Sequence, residues 1–505
     1  MSRSAPSHVN RRLFLGSSAA AYLASKSMAE AAAEMHWDLI VVGAGTAGLP
    51  AAIFAARRGA KVLLLEAASK LGGTLSIAGG EISAARTKTQ ARFGVTNDHP
   101  DIHFDDVMRM SNGLADPDLV RLTVDNAGAM VDWIDDHGWQ CRDGHFLDVG
   151  SEGRLAYSVR RYYQSDGAGL DITKVFLAEL EKDVFSGNVK VHTDARVTEL
   201  LTSDNGTVEG VRADMNGEPF TARGRHVLVT SGGYVMNPDM FQKLVNQPLY
   251  IAESFEFALG DGLSLAANVG AALRGANLHR PGSGSILTGY NFPSKVYARF
   301  DTRPQKRMPW EIWVNDDGQR YVNEQTPGRS AREQELLKQP RLRYSIIFDD
   351  EIFNAASPGI PDWSRDKMAK HFNGHVMFHK ADTIEDLAAK AELNPANLAQ
   401  TIATYNSGVT TGAADPFGRE HRPLAIAKAP YYAIVQLGHS ATSSVGVNVN
   451  SDLQAITNTG EPIKGLYAAG EVLGSGAVLG NSFIPGMMIT PAMTFGRHLG
   501  LTLEI

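Results

Sequence analysis

The sequence predicts an α/β fold, in which a dinucleotide-binding domain of parallel strands and helices is interrupted by an inserted α+β domain. An apolar run at 39–42 leads directly into a glycine-rich turn, a helical segment and a second apolar strand. A further apolar strand ends at Gly232-Gly233, and another runs from Gly465 to Gly470. Between these two, the stretch 277–440 lacks glycine fingerprints and is richer in prolines and charges. Strands that alternate with helices in this way favour a parallel sheet.

The first βαβ unit spans residues 37–66 and carries a Gly-x-Gly-x-x-Gly turn in the context expected for dinucleotide binding. Gly43 allows the tight turn, Gly45 lets the backbone approach a pyrophosphate, and Gly48 lets the helix pack closely on the strand. The helix N-terminus offers unpaired N–H groups and a positive dipole end to the phosphates. Glu66, at the end of the second strand, is placed to accept a hydrogen bond from a ribose 2′-OH. The contacts predicted here are Gly43, Gly45, Thr46, Ala47, Gly48, Glu66 and Ala67.

Composition limits the remaining classes of function. The chain has 505 residues and a formal net charge of −7, which gives no reason to expect nucleic acid as a partner. It contains one cysteine, Cys141, which excludes an intrachain disulfide, a cysteine zinc cluster, an iron–sulfur cluster and haem attachment through a CxxCH motif. The composition predicts a globular protein of two or three domains.

The N-terminal residues 1–35 do not look like part of the fold. Arg11-Arg12 precedes Leu13-Phe14-Leu15 and a run of small and apolar residues, and Ala29-Glu30-Ala31 is similar to a cleavage site. Paired arginines in this position are typical of a twin-arginine signal, which exports folded proteins with their cofactor in place. We therefore expect a periplasmic protein, and a cytoplasmic protein with a disordered basic arm is the alternative. No later apolar run reaches the roughly 18–20 residues that would span a bilayer.

A second glycine-rich passage, Gly72-Gly73-Thr74 followed by Gly79-Gly80, comes directly after Glu66. An acid followed by Gly-Gly-Ser/Thr is common in FAD enzymes, and the passage resembles the superfamily of fumarate reductases and 3-ketosteroid Δ1-dehydrogenases. Some members attach their flavin through a histidine shortly after the paired glycines. The tripeptide 75–77, Leu-Ser-Ile, occupies that place here, so the resemblance implies non-covalent FAD.

The same resemblance extends from residue 37 to residue 500 and implies a domain organisation. It implies a Rossmann-like two-dinucleotide-binding FAD domain, built from residues 36–276 and 441–505, with an inserted α+β capping domain at 277–440. The stretch 465–472, Gly-Leu-Tyr-Ala-Ala-Gly-Glu-Val, is its most specific signal, and a terminal helix follows whose N–H groups can stabilise charge at the flavin pyrimidine. The further FAD contacts that the resemblance implies are Gly72, Gly73, Thr74, Val197, Ser231, Gly232, Asp261, Gly470, Glu471, Met487, Met488 and Ile489.

Two patterns within the superfamily give different catalytic residues. The stretch 318–324, Gly-Gln-Arg-Tyr-Val-Asn-Glu, resembles the fumarate reductase segment that ends in a proton-donating arginine. Arg329 follows one residue later than usual, and Arg332 is the alternative. The paired histidines expected before the last strand, and the Asn-Arg pair that clamps a carboxylate, are absent from 440–446 and from the loop at Asn481. Recognition of a dicarboxylate is therefore not expected.

The ketosteroid dehydrogenase pattern matches the C-terminal loop better. Phe483-Ile484-Pro485-Gly486 and the helix Pro-Ala-Met-Thr-Phe-Gly at 491–496 resemble it closely. In that family a tyrosine and the N–H of a nearby glycine hold the ketone oxygen, so Phe483 lacks the hydroxyl whereas Gly486 is retained. Tyr163 is a candidate phenol, and His439 is a candidate hydrogen-bond donor.

These residues predict a FAD-dependent oxidoreductase that acts on a C–C bond next to a carbonyl, with hydride transfer between a substrate carbon and flavin N5. Desaturation of a cyclic or apolar ketone is preferred because of the C-terminal loop. The alternatives are fumarate- or urocanate-reductase-like reduction of an activated alkene with Arg329 as proton donor, and an electron carrier without a substrate. A separate, diffusible electron donor or acceptor is expected in each case. The sequence does not identify the substrate, the direction of reaction or the oligomeric state.

Overall fold

The computed structural model describes residues 36–142 and 156–505, and the predicted export signal at 1–35 lies outside them. Elements are numbered in chain order within this part of the chain. The strands are β1 (His36–Val42), β2 (Val62–Leu65), β3 (Ile82–Ser83), β4 (Tyr162–Tyr163), β5 (Val189–His192), β6 (Ala195–Thr202), β7 (Val208–Met215), β8 (Glu218–Val229), β9 (Leu273–Arg274), β10 (Gly282–Leu287), β11 (Val296–Arg299), β12 (Ile312–Asn315), β13 (Arg343–Asp349), β14 (Phe378–Ala381), β15 (Tyr431–His439), β16 (Gly446–Val447), β17 (Gln454–Ile456) and β18 (Pro462–Ala468).

Helices connect and cover these strands. They are α1 (Gly48–Ala56), α2 (Lys88–Arg92), α3 (Pro100–Met110), α4 (Pro117–Asp136), α5 (Gly169–Phe185), α6 (Pro238–Val245), α7 (Asp261–Asn268), α8 (Arg329–Leu337), α9 (Asp350–Ala355), α10 (Arg365–Ala369), α11 (Ile384–Lys390), α12 (Pro395–Thr411), α13 (Gly476–Leu479) and α14 (Ile489–Thr502), with short 3₁₀ turns at Gly73–Ile77, Pro340–Leu342 and Glu471–Leu473. Within the described ranges, each helix is too short or too polar to cross a lipid bilayer.

The first sheet has a parallel core in the order β5-β2-β1-β8-β18. β2 and the second half of β1, from Leu39 to Val42, are apolar and buried, as expected for strands with helices on both faces. The antiparallel strands β6 and β7 extend the sheet from β8, and β17 pairs with β18. The predicted strand before Gly232-Gly233 is the end of β8, and the predicted helical segment after the glycine turn is α1, which ends at Ala56.

The helix α1 packs between the first sheet and the C-terminal helix α14. All nine residues of α1 are buried. A methyl group at Gly500 of α14 would approach the backbone oxygen of Ala51 to 2.7 Å, so the two helices are in close backbone contact. This contact places the N-termini of α1 and α14 on the same side of the sheet, next to the ends of β1 and β18.

The second sheet has the order β11-β10-β15-β13-β12, with β14 paired to β15, and its pairings are antiparallel. It is the centre of a separate hydrophobic core that extends from Tyr250 to Leu437. The core of the first sheet is formed by residues before Ala271 and after Val445. The chain therefore builds its first core, leaves it for the second, and returns.

Candidate active site

A cavity of about 410 Å³ opens at the carboxyl ends of β1, β2 and β8. In open α/β sheets this is the place where ligands bind. The residues predicted to bind the dinucleotide that line this cavity are Gly43, Gly45, Thr46, Ala47, Glu66, Ala67, Gly73, Thr74, Val197, Ser231, Gly232, Asp261, Gly470, Glu471, Met488 and Ile489. Gly48, Gly72 and Met487 lie beside it without lining it.

The glycine turn after β1 has the geometry of a phosphate cradle. Gly43 has a φ of +104°, and a side chain there would approach the Thr230 carbonyl oxygen to 2.8 Å. A methyl group at Gly48 would overlap the Gly43 carbonyl oxygen, whereas nothing lies within 4 Å of one at Gly45. The open space over Gly45 faces the cavity, so its missing side chain leaves room for a ligand. Within the described residues, the amides of Thr46 and Ala47 have no acceptor and are available to a phosphate.

Glu66 fastens the glycine turn to the end of β2. Its carboxylate is 5% exposed and accepts hydrogen bonds from the backbone N–H groups of Ala44 and Ala68, each at 2.8 Å. Burial raises the pKa of the carboxyl, and these backbone hydrogen bonds oppose that shift. A carboxylate has about four lone-pair sites, so each oxygen retains capacity for a ribose hydroxyl.

Next to Glu66, whose carbonyl oxygen accepts a hydrogen bond from the Ala195 N–H at 2.9 Å, the cavity wall contains an ion pair that the sequence pattern did not predict. Arg196 donates from Nε to Asp261 Oδ2 at 2.8 Å and from Nη2 to Oδ1 at 2.7 Å. Both residues line the cavity next to Val197. Asp261 thus contributes to the cavity wall through a bidentate ion pair with Arg196. Arg196 directly precedes the predicted contact Val197 in the sequence, and this position could have indicated it.

The C-terminal return contributes the third part of the cavity wall. Gly470 has a φ of +85°, and Glu471 after it accepts a hydrogen bond from the Ser443 N–H at 2.8 Å. Burial raises the pKa of Glu471. At the N-terminus of α14, the backbone N–H groups of Met488 and Ile489 have no acceptor in the described part of the chain. A dinucleotide with a ring at this end would meet these N–H groups, so the residues present fit FAD.

Phe483 forms the apolar end of the cavity and has two arginines near its ring. The guanidinium carbons of Arg280 and Arg329 are 5.6 and 6.0 Å from the centre of its ring. Glu333, with 0% exposure, accepts a hydrogen bond from Arg329 Nε at 2.7 Å and another from Arg280 Nη1. The Arg280 and Glu333 contributions were missed from sequence, because 53 residues separate them and the packing of α8 beside β10 brings them together.

His439 lies at the end of β15, close to this cluster. Its Nδ1 is 2.8 Å from Ser285 Oγ, and the residue is 8% exposed. Burial and the nearby charges of Arg299 and Arg329 lower the pKa of His439 to about 3. The imidazole is therefore neutral at physiological pH.

The five candidate catalytic residues differ in their positions relative to the cavity. Phe483 and Gly486 line the cavity, whereas Arg329 lies against Phe483 and His439 stands further back. The phenol of Tyr163 is fully buried, with its hydroxyl bonded to the Ala84 carbonyl at 2.9 Å and to Thr87 Oγ1 at 2.7 Å, and burial raises its pKa.

These contacts correct the expectation that Tyr163 supplies a phenol to the substrate, since its hydroxyl is fully engaged and does not reach the cavity. Arg332, the alternative to Arg329, does not line the cavity either. Its side chain is buried, hydrogen-bonded to the Thr326 carbonyl and packed over Trp313.

The sequence profile of the FAD binding domain family matches residues 38–482. Among curated proteins, the chain is 30% identical over 466 residues to a fumarate reductase (cytochrome) of Shewanella frigidimarina, covering 92% of this chain and 76% of that protein. It is 27% identical over 489 residues to a vinyl phenol reductase of Lactiplantibacillus plantarum, covering 92% and 95% of the two chains.

Solved structures give the same picture. The open conformation of a flavocytochrome c3 fumarate reductase is similar with a TM-score of 0.67 and 27% identity, covering 95% of this chain and 80% of that one. The fold of a 3-ketosteroid-Δ4-(5α)-dehydrogenase from Rhodococcus jostii RHA1 is similar with a TM-score of 0.66 and 24% identity, covering 93% and 96%. The mixed α/β fold, the cradle for a dinucleotide and these likenesses lead to one conclusion: the chain belongs to the FAD binding domain family and is a FAD-dependent oxidoreductase related to the fumarate reductases.

Proposed function

We propose that this protein reduces a C=C bond conjugated to a carbonyl or carboxyl group, with Arg329 as the proton donor. The observation that carries this proposal is the position of Arg329 and Arg280, which share the Glu333 carboxylate and lie about 6 Å from the ring of Phe483, at the apolar end of the cavity. Relatives whose names describe alkene reduction, among them the vinyl phenol reductase and a urocanate reductase of Eggerthella lenta, support it.

Reduction of such a bond requires a hydride at one carbon and a proton at the next. Bound FAD supplies hydride chemistry at N5. The protein has to supply the proton, and the engagement of Arg329 Nε by Glu333 fixes the guanidinium while its Nη groups have no hydrogen-bond partner among the described residues. Although arginine is a weak acid, the carbanion-like carbon that would receive the proton is a much stronger base.

The charges around Phe483 favour a substrate that carries or develops negative charge. Arg280, Arg299, Arg329 and Arg332 contribute four positive charges. Glu333 and Glu253, which lies near Arg299, contribute two negative charges, so positive charge is in excess. A carboxylate or an enolate oxygen would balance it. The missing Asn-Arg clamp indicates one anionic group rather than the two of a dicarboxylate.

We infer that the unit around the second sheet caps the cavity. Ser330 Oγ of α8 accepts a hydrogen bond from the Phe483 N–H at 3.1 Å, and Gln334 Nε2 donates to the Asn481 carbonyl at 2.7 Å. These contacts dock α8 on the C-terminal loop that forms the apolar end. An enclosed substrate end argues against a protein that only carries electrons. Residues 75–77 provide no histidine or cysteine, which supports non-covalent FAD.

Dehydrogenation of a ketone is the second candidate, and the C-terminal loop favours it. Gly486 lines the cavity, and its N–H has no acceptor within the described ranges, so it is available to a ketone oxygen. Desaturation also needs a base to remove a proton, and the hydroxyl of Tyr163 is buried and occupied. The geometry therefore supports reduction better than the desaturation preferred from sequence.

Rapid mixing under anaerobic conditions tests the choice. The photoreduced holoprotein is mixed with a substituted acrylate, a cyclic enone or, as a control, the saturated analogue of each. Fast reoxidation by an unsaturated compound, with formation of the saturated product, supports reduction. Bleaching of the oxidised protein by a saturated ketone would instead support dehydrogenation. Reoxidation by none of them, together with fast reoxidation by a carrier protein, would overturn both.

A further inference from the structure

The pairing of β10 with β15 contains an irregularity that decides what His439 meets. Gly282 pairs with His439, but the next pair is Ser285 with Leu437, so β10 has one residue more than β15 between the two pairs. Gly284, with a φ of +82°, lies in this bulge. In a regular ladder the side chain of Ser285 would point to the face opposite His439, because side chains alternate along a strand. The bulge returns Ser285 to the face of His439, and re-aiming one side chain is a known use of bulges.

Ser285 is also held from its other side. It pairs directly with Arg299 on β11, and Arg299 Nη1 donates to Ser285 Oγ at 3.3 Å. Guanidinium nitrogens are donors only. With one lone pair occupied by Arg299, Ser285 can direct its own proton along the 2.8 Å line to His439 Nδ1. Ser285 is 0% exposed, so water does not compete for this hydroxyl.

We propose that Ser285 is a positioning residue that holds His439 as the neutral tautomer with its proton on Nε2, so that His439 presents an N–H donor beside Arg280 and Arg329. The role of this donor rests on the proposed function: the N–H would bind the electron-withdrawing oxygen of the alkene substrate. The tautomer itself follows from the chain Arg299–Ser285–His439 and does not depend on the substrate.

Two further contacts agree with a fixed ring. A methyl group at Gly282 would lie 2.5 Å from His439 Nε2, so the absence of a side chain at this position makes room for the imidazole. In the described part of the chain, the His439 ring has a hydrogen-bond partner at Nδ1, which is Ser285, and none at Nε2. A neutral donor suits a site already crowded with guanidinium groups, since an imidazolium there would add to the repulsion.

Long-range ¹H–¹⁵N spectra of histidine-labelled holoprotein test the proposal, with His439 assigned through a His439→Gln variant. We expect the pattern of a neutral Nε2–H imidazole between pH 6 and pH 8. Ser285→Ala should convert it to a mixture of tautomers and lower kcat/KM by about tenfold, while Ser285→Thr restores both. Ser345→Ala is the matched control, because Ser345 is a buried serine of the same sheet whose Oγ has no partner among the described residues.

The two proposals fail separately. A wild-type Nδ1–H pattern, or an unchanged pattern in folded Ser285→Ala, overturns the positioning role even if alkenes are reduced. The expected pattern in a protein that reduces no alkene leaves the tautomer in place and overturns the proposed function. If Ser285→Ala fails to retain FAD, the positioning role is tested by the wild-type pattern and by the Arg299→Gln variant. Arg299 is exposed, so its replacement should shift His439 toward a mixture of tautomers without unfolding the sheet.

Discussion

The guanidinium carbon of Arg329 lies 6.0 Å from the centre of the Phe483 ring, which joins the start of α8 to the wall of the cavity. This cation–π contact and the hydrogen bond to Glu333 hold the arginine at the apolar end, where a substrate would meet it. Arg329 lies at this place although its spacing from the preceding motif is one residue longer than in the fumarate reductase pattern that the segment resembles.

Removing Arg329 should abolish most of the activity without loss of FAD. We expect Arg329→Ala to lower kcat for alkene reduction by about 100- to 10,000-fold, the range that a positioned proton donor supplies. Stopped-flow oxidation of the reduced holoprotein measures the effect. Arg303→Ala is the control, since Arg303 is an exposed arginine of the same unit that pairs with Asp301. Unchanged turnover in Arg329→Ala would remove the residue from the mechanism.

Glu333 should stabilise the protein through its two guanidinium partners. Burial acts to raise the pKa of this carboxyl, but Arg280 and Arg329 lower it overall, so its stabilising effect is fully present above its ordinary pKa and is lost as the pH falls through the lowered value. Glu333→Gln should therefore cost about 3–5 kcal/mol in the free energy of unfolding near pH 7. The difference from wild type should shrink in acid.

Denaturant unfolding of both proteins at pH 7 and pH 4 measures this difference. The control is Glu335→Gln on the same helix, where the carboxylate is exposed and pairs with Lys338. A loss of stability for Glu333→Gln that is the same at both pH values would contradict the ion-pair explanation.

Most of the predicted dinucleotide contacts line one cavity, whereas Arg329, His439 and Tyr163 of the predicted catalytic residues do not, and the reason is physical. Gly43, Gly45 and Glu66 lie within one βαβ unit, so their spacing along the chain determines their geometry. Ser285 contacts His439 because of a bulge in β10, and the two residues are 154 positions apart in the chain, so no local sequence pattern predicts this contact. Tyr163 lies two residues after Arg161 in a stretch without a clear helix or strand pattern. The sequence there shows an aromatic residue but does not show that its side chain is buried.

The neutral state of His439 makes a prediction about pH. Because the folded pKa is lowered to about 3, the unfolded chain takes up the proton first as the pH falls below about 6.5, and folding stability is lost over that range. Histidine-to-glutamine substitution at 439 should therefore flatten the stability profile between pH 6.5 and pH 4. The rate of alkene reduction should show no histidine titration between pH 6 and pH 8. A bell-shaped limb in that range that disappears in His439→Gln would contradict this assignment.

Glu66 should couple FAD binding to the shape of the glycine turn. An amide in place of the carboxylate turns one acceptor oxygen into a donor that faces a backbone N–H, either that of Ala44 or that of Ala68. Hydrogen bonds to charged groups are worth about 1.5–3 kcal/mol, so Glu66→Gln should weaken FAD binding by roughly 10- to 150-fold. Fluorescence titration of the apoprotein with FAD measures the affinity. Glu81→Gln, which removes another carboxylate from the cavity wall, should change it much less.

Gly45 and Gly48 belong to the same motif but should fail in different ways. A methyl group at Gly48 would overlap the Gly43 carbonyl oxygen, so Gly48→Ala should destabilise the apoprotein by at least about 1–3 kcal/mol.

Nothing lies within 4 Å of a methyl group at Gly45, so Gly45→Ala should leave apoprotein stability within about 0.5 kcal/mol of wild type. The new methyl group would instead occupy space that the pyrophosphate needs, and FAD affinity should fall at least about tenfold. Thermal unfolding of both apoproteins, followed by FAD titration, separates the two effects. An apoprotein with Gly45→Ala that binds FAD like wild type would mean that the pyrophosphate does not approach the backbone at this point, because the space over Gly45 would then have no ligand to exclude.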